Sequence, residues 1–281
     1  MFNTVIISTN ENRGYYEHLP LVVAAWKRFF PNCKVKLAYI TNKLENNGLY
    51  NLFSQVADEV KMYVEVAGVH SANFAKVSRY LYASEQGDDV CIIHDIDTIP
   101  LQAAYWEKLF NAFDREKLFC VGHDVYEGSE HEGKFPASSM MGTGHIFKTL
   151  INPNQLDFTS LFQGLAMRRV FDDKENIINH PTMFSDESLI RALISINNVP
   201  ITKVNRGINT DTQWIDRSSW KTISESDLKY GSYVECNLPR SHEVYDIKPY
   251  VDKIEDFIFS DNNHFRYISS KLKQWNTSQE S

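Results

Sequence analysis

Apolar and polar positions along the first half of the chain alternate between short strand-like runs and longer helical stretches. Residues 2–8 (FNTVIIS) form a β-rich run that ends in the polar turn Thr9-Asn10-Glu11-Asn12. Residues 16–30 carry apolar side chains at helical spacing and stop before Pro31, which predicts a helix. A second strand follows at 35–41 (VKLAYIT), a short helix near 49–55, a third strand at 60–66 and a helix over 70–85. After the turn Gly87-Asp88-Asp89, Val90-Cys91-Ile92-Ile93 is a continuous apolar run, the pattern of a strand covered on both faces. A helix over 102–113 and a strand at 118–122 complete the series. This β-α-β rhythm predicts an α/β fold with a mostly parallel central sheet and helices on both faces. Ligands in such sheets bind at the carboxyl ends of strands, where Asp95 and Asp97 stand.

The second half is less regular. Residues 124–136 are polar and read as a loop, and 138–148 (SSMMGTGHIFK) mix methionine, glycine and β-formers. Helices are predicted over 156–171 and 185–196, strand or loop over 208–217 and 233–242, and closing helices over 249–259 and 264–275, before a frayed tail. With no repeat, low-complexity tract or linker, the organisation expected is one domain over 1–281. A nucleotide-binding half covers about 1–125; an acceptor-binding half and closing segment take about 126–281.

Net charge changes the picture by exclusion. A formal charge of −7 and a pI near 5.7 disfavour a nucleic-acid binder, which carries a basic footprint. A nucleotide phosphate is still compatible, because a metal ion supplies local positive charge in an acidic protein. Cys33, Cys91, Cys120 and Cys236 lie far apart with no CxxC pair, which predicts buried free thiols. No apolar run approaches the roughly 18 residues of a membrane span, and the first residues read as a strand rather than a leader, so the expectation is a soluble, cytoplasmic protein.

The candidate chemistry centres on Asp95-Ile96-Asp97. Two carboxylates two positions apart point the same way if the strand continues, and they present converging hard oxygens to one divalent cation. Mn²⁺ or Mg²⁺ then bridges carboxylate and diphosphate oxygens and neutralises charge on a departing nucleoside diphosphate. A solvated strand-end turn is the alternative for the bare motif. On helix 70–85, Asn73, Lys76 and Arg79 recur every three residues, a spacing that suits a donor-facing or a solvated polar face equally.

The sequence resembles the GT-A glycosyltransferases: a first strand ending in Ser8-Thr9-Asn10, a helix carrying Lys76 and Arg79, then a strand delivering Asp95-Ile96-Asp97. Its layout is most similar to small stand-alone sugar transferases of bacteria and large DNA viruses, over about residues 1–150. The resemblance implies a hexosyl- or pentosyltransferase that takes a nucleotide-sugar donor, UDP-linked, and a glycan or other hydroxyl acceptor. It implies donor contacts from Thr9, Asn10, Asn73, Lys76, Arg79 and the Asp95-Ile96-Asp97 motif. It also implies metal ligation by Asp95, Asp97 and a late histidine, His242, which is otherwise one surface histidine among nine. His94 beside the motif reads as a packing or supporting residue. Asp186 and Glu187 open a predicted helix, where Ser185 as N-cap and acids in the first turn are sufficient to start it. The family often places an acidic acceptor-side residue at this point: in an inverting reaction Asp186, the favoured one, or Glu187 is the general base, and in a retaining reaction the same place often holds a polar group near the anomeric carbon. Met141-Gly142-Thr143-Gly144 resembles a segment that lets sugars approach the backbone and equally suits a turn; Trp214, Trp220 and Tyr230 are candidates for a stacking wall.

Three rivals use the same acids. A haloacid-dehalogenase-type phosphatase needs DxDx(T/V) on the first strand, but here the fifth position is Ile99 and the motif follows three strands. A non-catalytic nucleotide- or carbohydrate-binding module keeps the fold without turnover. A nucleotidyltransferase needs a Gly-rich basic N-terminal segment, which residues 8–14 (STNENRG) do not supply.

Overall fold

The computed structural model describes residues 2–67, 70–129, 132, 134–136, 138–157, 159–161, 186–206, 213–217, 219–239, 246–260 and 262–275. Most of the helix expected over 156–171 and half of the segment expected over 208–217, residues 208–212, lie outside them.

Strand β1 (Thr4–Thr9) leads into helix α1 (Arg13–Tyr16) and helix α2 (Leu19–Phe29). The helix expected over 16–30 is thus α2, which begins at Leu19, with α1 a separate turn before it. Pro20 accounts for part of the break, because proline lacks an N–H and is tolerated only in a first turn, where it stands in α2. Strand β2 (Lys34–Thr41), α3 (Gly48–Phe53), β3 (Glu59–Val64), α4 (Ser71–Ser84) and β4 (Val90–His94) follow. The chain then forms β5 (Thr98–Pro100), α5 (Ala103–Asn111), β6 (Leu118–Val121), a 3-10 turn (His123–Tyr126), β7 (Ser139–Thr143) and α6 (Gly144–Ile151). The later elements are α7 (Asp186–Ile196), β8 (Ile201–Val204), β9 (Gln213–Ile215), a 3-10 turn (Trp220–Thr222), α8 (Glu225–Tyr230), β10 (Tyr233–Asn237), α9 (Lys248–Phe259) and α10 (Asn263–Gln274). No helix among the described residues is long and apolar enough to cross a membrane.

Seven strands form the central sheet in the order β3-β2-β1-β4-β7-β6-β8. All neighbouring pairs are parallel except those made by β7, which runs against β4 and β6. Each strand of the middle feeds two cores. Val90 and Ile92 join one apolar cluster with Trp26, Trp106 and Trp220, whereas Cys91 and Ile93 join the other with Phe74, Tyr80 and Phe147. Side chains alternate across a sheet, so a strand covered by helices on both faces must be apolar at every position. Val5, Ile6 and Ile7 of β1 split in the same way. The four cysteines are free and buried.

A second sheet of three short strands, β5-β10-β9, stands beside the first. β5 pairs antiparallel with β10, with Thr98 opposite Asn237 and Pro100 opposite Glu235. β4 belongs to the large sheet and β5 to the small one, so Asp95-Ile96-Asp97 is the bridge between them. The strand therefore does not continue through the motif; a turn intervenes, with the Thr98 amide donating to the Asp95 carbonyl at 3.3 Å.

The glycines of Met141-Gly142-Thr143-Gly144 serve packing. A Cβ on Gly144 would fall 2.5 Å from the Gly87 nitrogen, so a side chain there is incompatible with the close approach of the 84–90 turn. Thr143 caps α6, its hydroxyl accepting from the Ile146 amide at 3.3 Å.

Candidate active site

A cavity of about 490 Å³ opens where the carboxyl ends of β1, β4, β6 and β8 meet the start of β7. This is the edge at which the strand-end rule places a ligand. Ser8, Thr9 and Asn10 enter from β1; Ala72, Ala75, Lys76 and Arg79 from α4; and Asp95, Ile96 and Asp97 from the bridge. Asp186 and Glu187 enter from the first turn of α7. Asn10 ties two of these elements together: its amide donates to Ser71 Oγ at 3.0 Å while its carbonyl oxygen accepts from the Asn12 amide at 3.1 Å.

Arg79 organises the floor. One Nη donates to Asp95 Oδ1 and to the His94 carbonyl, the latter at 3.2 Å; the other donates to Asp186 Oδ2 at 3.0 Å. Its side chain is 4% exposed, so the guanidinium is a buried cation satisfied by two carboxylates from elements far apart in sequence. Lys76, one turn earlier, reaches Asp186 Oδ1 at 3.6 Å with its ammonium half-exposed. His94 packs edge-on against Trp26 and Trp106 and is fully buried, with Nε2 3.6 Å from Glu235 Oε2, in line with a supporting role.

The opposite rim comes from the small sheet. Arg217 donates from Nη2 to Asp97 Oδ2 and from Nε to the Leu238 carbonyl at 3.3 Å. The Leu238 amide in turn donates to the Asp97 carbonyl at 2.6 Å. Asp216 accepts from Arg206 at 2.9 Å and from the Asn237 amide at 3.0 Å, and the Arg206 guanidinium lies 4.0 Å over the Trp214 ring.

The two acids of the motif are driven in opposite directions. Burial works to raise the Asp95 carboxyl, but the charge and hydrogen bond of Arg79 outweigh it and hold the group below its usual range. Burial and the neighbouring Asp95 charge push Asp97 up to about 6, against a partial pull from Arg217. Glu187 is also raised, by burial first and by Asp186, although Tyr126 donates its hydroxyl to Glu187 Oε1 and works the other way. A carboxyl raised by burial and oriented by a hydrogen bond from a phenol is suited to general-base work.

Nine of the sequence-selected residues thus converge on one cavity: Thr9, Asn10, Lys76, Arg79, Asp95, Ile96, Asp97, Asp186 and Glu187. Asn73 is buried and does not line it. Trp214 does, but Trp220 is a core residue whose Nε1 donates to the Asn237 carbonyl at 3.0 Å, and Tyr230 is 86% exposed elsewhere. His242 and Ser185 lie outside the described residues. Sequence reading missed Tyr126, Arg206, Asp216, Arg217, Glu235 and Asn237. The adjacent Asp216-Arg217 pair after a Trp was the one available signal, and it is weak.

No family model matches the chain, and no curated protein matches it in sequence. Solved structures do match it in shape. A galactosyltransferase, LgtC, in complex with donor and acceptor sugar analogues superposes with a TM-score of 0.51 at 7% identity, covering 90% of this chain and 95% of that one. An active-site mutant of LgtC gives 0.50 at 10% identity, covering 89% and 94%. The fold is that of the GT-A glycosyltransferases. Mouse xyloside xylosyltransferase 1 in its apo form gives 0.43 at 9% identity, covering 84% and 96%. At such identities the GT-A likeness fixes the chain's architecture and leaves its chemistry to the residues in the cavity.

Proposed function

We propose that the chain is a metal-dependent glycosyltransferase that moves a sugar from a nucleoside-diphosphate sugar, UDP-linked, to a hydroxyl of a glycan or other acceptor. The observation that carries this reading is the convergence of Asp95, Asp97, Lys76, Arg79 and the acids opening α7 in one strand-end cavity of a GT-A fold. Carboxylate oxygens suit Mn²⁺ or Mg²⁺, which often take one or two carboxylates and fill their remaining positions with phosphate oxygens and water. Among the described residues the lining carries six carboxylates (Asp95, Asp97, Asp186, Glu187, Asp216, Glu235) and four basic groups (Lys76, Arg79, Arg206, Arg217). That excess of negative charge accommodates a divalent cation. Asp95 and Asp97 are the residues that would hold it, Asp95 through the oxygen that Arg79 does not engage; the described residues contain no group of three or more His, Cys, Asp or Glu arranged for a metal. Bound there, the cation supplies neutralisation of the leaving diphosphate. His242 as a further ligand stays a sequence-based proposal.

The chain's own residues supply the remaining chemistry. Thr9 and Asn10, at the end of β1, meet the nucleoside, and the half-exposed Lys76 ammonium faces the phosphates. Arg79 fixes the orientation of Asp95 and Asp186 together. Glu187 takes the proton of the acceptor hydroxyl as that oxygen bonds to the anomeric carbon, while the bond from this carbon to the diphosphate oxygen breaks and the nucleoside diphosphate departs. Asp186, the base favoured from the family pattern, is engaged by Arg79 and Lys76 and acts instead as a positioning group. The haloacid-dehalogenase alternative asks Asp95 to attack phosphorus, and a carboxylate held by a buried guanidinium is a poor nucleophile.

A thermal-shift panel of UDP, GDP, CMP and dTDP with and without Mn²⁺ tests this reading. Stabilisation by UDP is expected only when Mn²⁺ is present, and Asp97→Ala should abolish it. No response to any nucleotide, or a parent-like response from Asp97→Ala, overturns it.

A further inference from the structure

Arg217 is the basic group of the rim that stands out once the other charges are matched. Arg206 is committed to Asp216 at 2.9 Å and stacked on Trp214, and Arg79 is locked in the floor by Asp95 and Asp186. Arg217 has one carboxylate among the described residues, Asp97. The two side chains differ in setting: Arg217 is 41% exposed and reaches in from the mouth, whereas Asp97 is 11% exposed. Its Nε donates to the Leu238 carbonyl at 3.3 Å, a contact about which the planar guanidinium can tilt as one unit, keeping the side chain at the rim while Nη2 leaves Asp97.

We propose that Arg217 is a ligand of the donor diphosphate that holds Asp97 until the metal and nucleotide arrive, so that arginine and divalent cation compete for one carboxylate. The inference rests on the metal-and-nucleotide reading given above. Asp97 compensates one positive neighbour at short range; a dication drawn to it repels a guanidinium on the same carboxylate. The planar fork released from Asp97 matches the oxygens of a phosphate, which it binds by paired charge-assisted hydrogen bonds. The diphosphate that accompanies the cation therefore gives Arg217 its new partner, and no charge is left uncompensated at either stage. Arg79 cannot exchange in this way, because both ends of its guanidinium are already held in a buried site.

Competition on one side and recruitment on the other give opposite signs on removal. Two titrations by calorimetry read them: Mn²⁺ alone, and UDP at saturating Mn²⁺, each for the parent protein, Arg217→Ala and Arg217→Lys. Arg217→Ala is expected to bind Mn²⁺ alone about tenfold more tightly than the parent, and UDP with Mn²⁺ about tenfold more weakly. Arg217→Lys, which keeps the charge without the fork, should fall between parent and alanine variant in both titrations, and it carries the test alone if the alanine variant does not fold. If both affinities fall together, Arg217 merely props Asp97 and the proposal is overturned; an unchanged affinity for UDP with Mn²⁺ overturns it as well. A parent protein that binds Mn²⁺ but no nucleotide sinks the transferase reading instead, and the Mn²⁺ titration still decides whether arginine and cation compete.

Discussion

Asp95 and Asp97 stand two residues apart on one bridge, yet they belong to differently built regions. Asp95 faces the floor, where Arg79 of a 14-residue helix is buried between it and Asp186. Asp97 faces the rim, where Arg217 comes from the end of a three-residue strand and is half in solvent. The floor pair joins β4, α4 and α7, so it is part of how the large sheet and its helices fit together. The rim pair joins the bridge to the small sheet and lines the cavity from its more exposed side. One motif thus divides its labour: the first acid is fixed by the fold, and the second is left to exchange partners.

The largest expected effect tests the fixed half. Arg79→Leu removes the cation between two buried carboxylates and leaves both uncompensated, so unfolding free energy in urea should fall by about 3–5 kcal/mol. Arg217→Ala breaks a pair with a half-exposed member and should cost less than about 1 kcal/mol in the same measurement. Equal losses in the two variants would erase the distinction between floor and rim.

Glu187 belongs to neither arginine pair, and that sets its role apart from that of Asp186. Glu187→Gln should lower transfer to acceptor by about 10²- to 10⁴-fold while UDP binding with Mn²⁺ stays at the parent level. Parent-like transfer by this variant would return the base to Asp186. Tyr126→Phe removes the hydroxyl that donates to Glu187 and should slow transfer less, since the carboxylate itself remains.

The same contrast governs what the sequence revealed. The strands β1 to β4 were readable: β1 and β4 are buried at every position and carry the apolar runs Val5–Ile7 and Val90–Ile93, while β2 and β3, toward the sheet edge, still carry runs of β-formers. Asp95 and Asp97 followed from placing that pattern against the strand-end rule, and Lys76 and Arg79 from the GT-A resemblance together with their helical spacing. Asn73 misled because three-residue spacing drifts by about 60° per step on a helix of 3.6 residues per turn, so it ends about 120° from Arg79. The rim was unreadable for a different reason. β5 and β9 have three residues each, too few for a period, and β5 exists through pairing with β10, such as Thr98 to Asn237 across 139 positions. Arg217 finds Asp97 across 120 positions, and its one local mark, the neighbouring Asp216, is weak.

The smallest effect, a pH dependence, separates the two acids directly. Asp97 titrates at about 6 in the folded protein against an ordinary 3.8, so the native state binds that proton more tightly than the unfolded chain. Its contribution to stability is then fully present below about pH 4 and is lost as pH rises through about 6. Asp95 has the opposite sign: its folded value is depressed, so its contribution is present above the ordinary carboxylate range and is lost only as pH falls through the lower folded value. A cation requires the deprotonated acid, so the affinity for UDP with Mn²⁺ should weaken below pH 6, by about tenfold per unit at the limit. Urea unfolding of the free protein and UDP calorimetry at saturating Mn²⁺, each at intervals from pH 5 to pH 7.5, read the two effects separately. Asp97→Asn should flatten the stability change across this window and abolish metal-dependent UDP binding at every pH. If binding by the parent is level through pH 6, or if Asp97→Asn keeps the parent's stability slope, the proton resides on another group and the two acids of the motif are not distinguished in the way their surroundings imply.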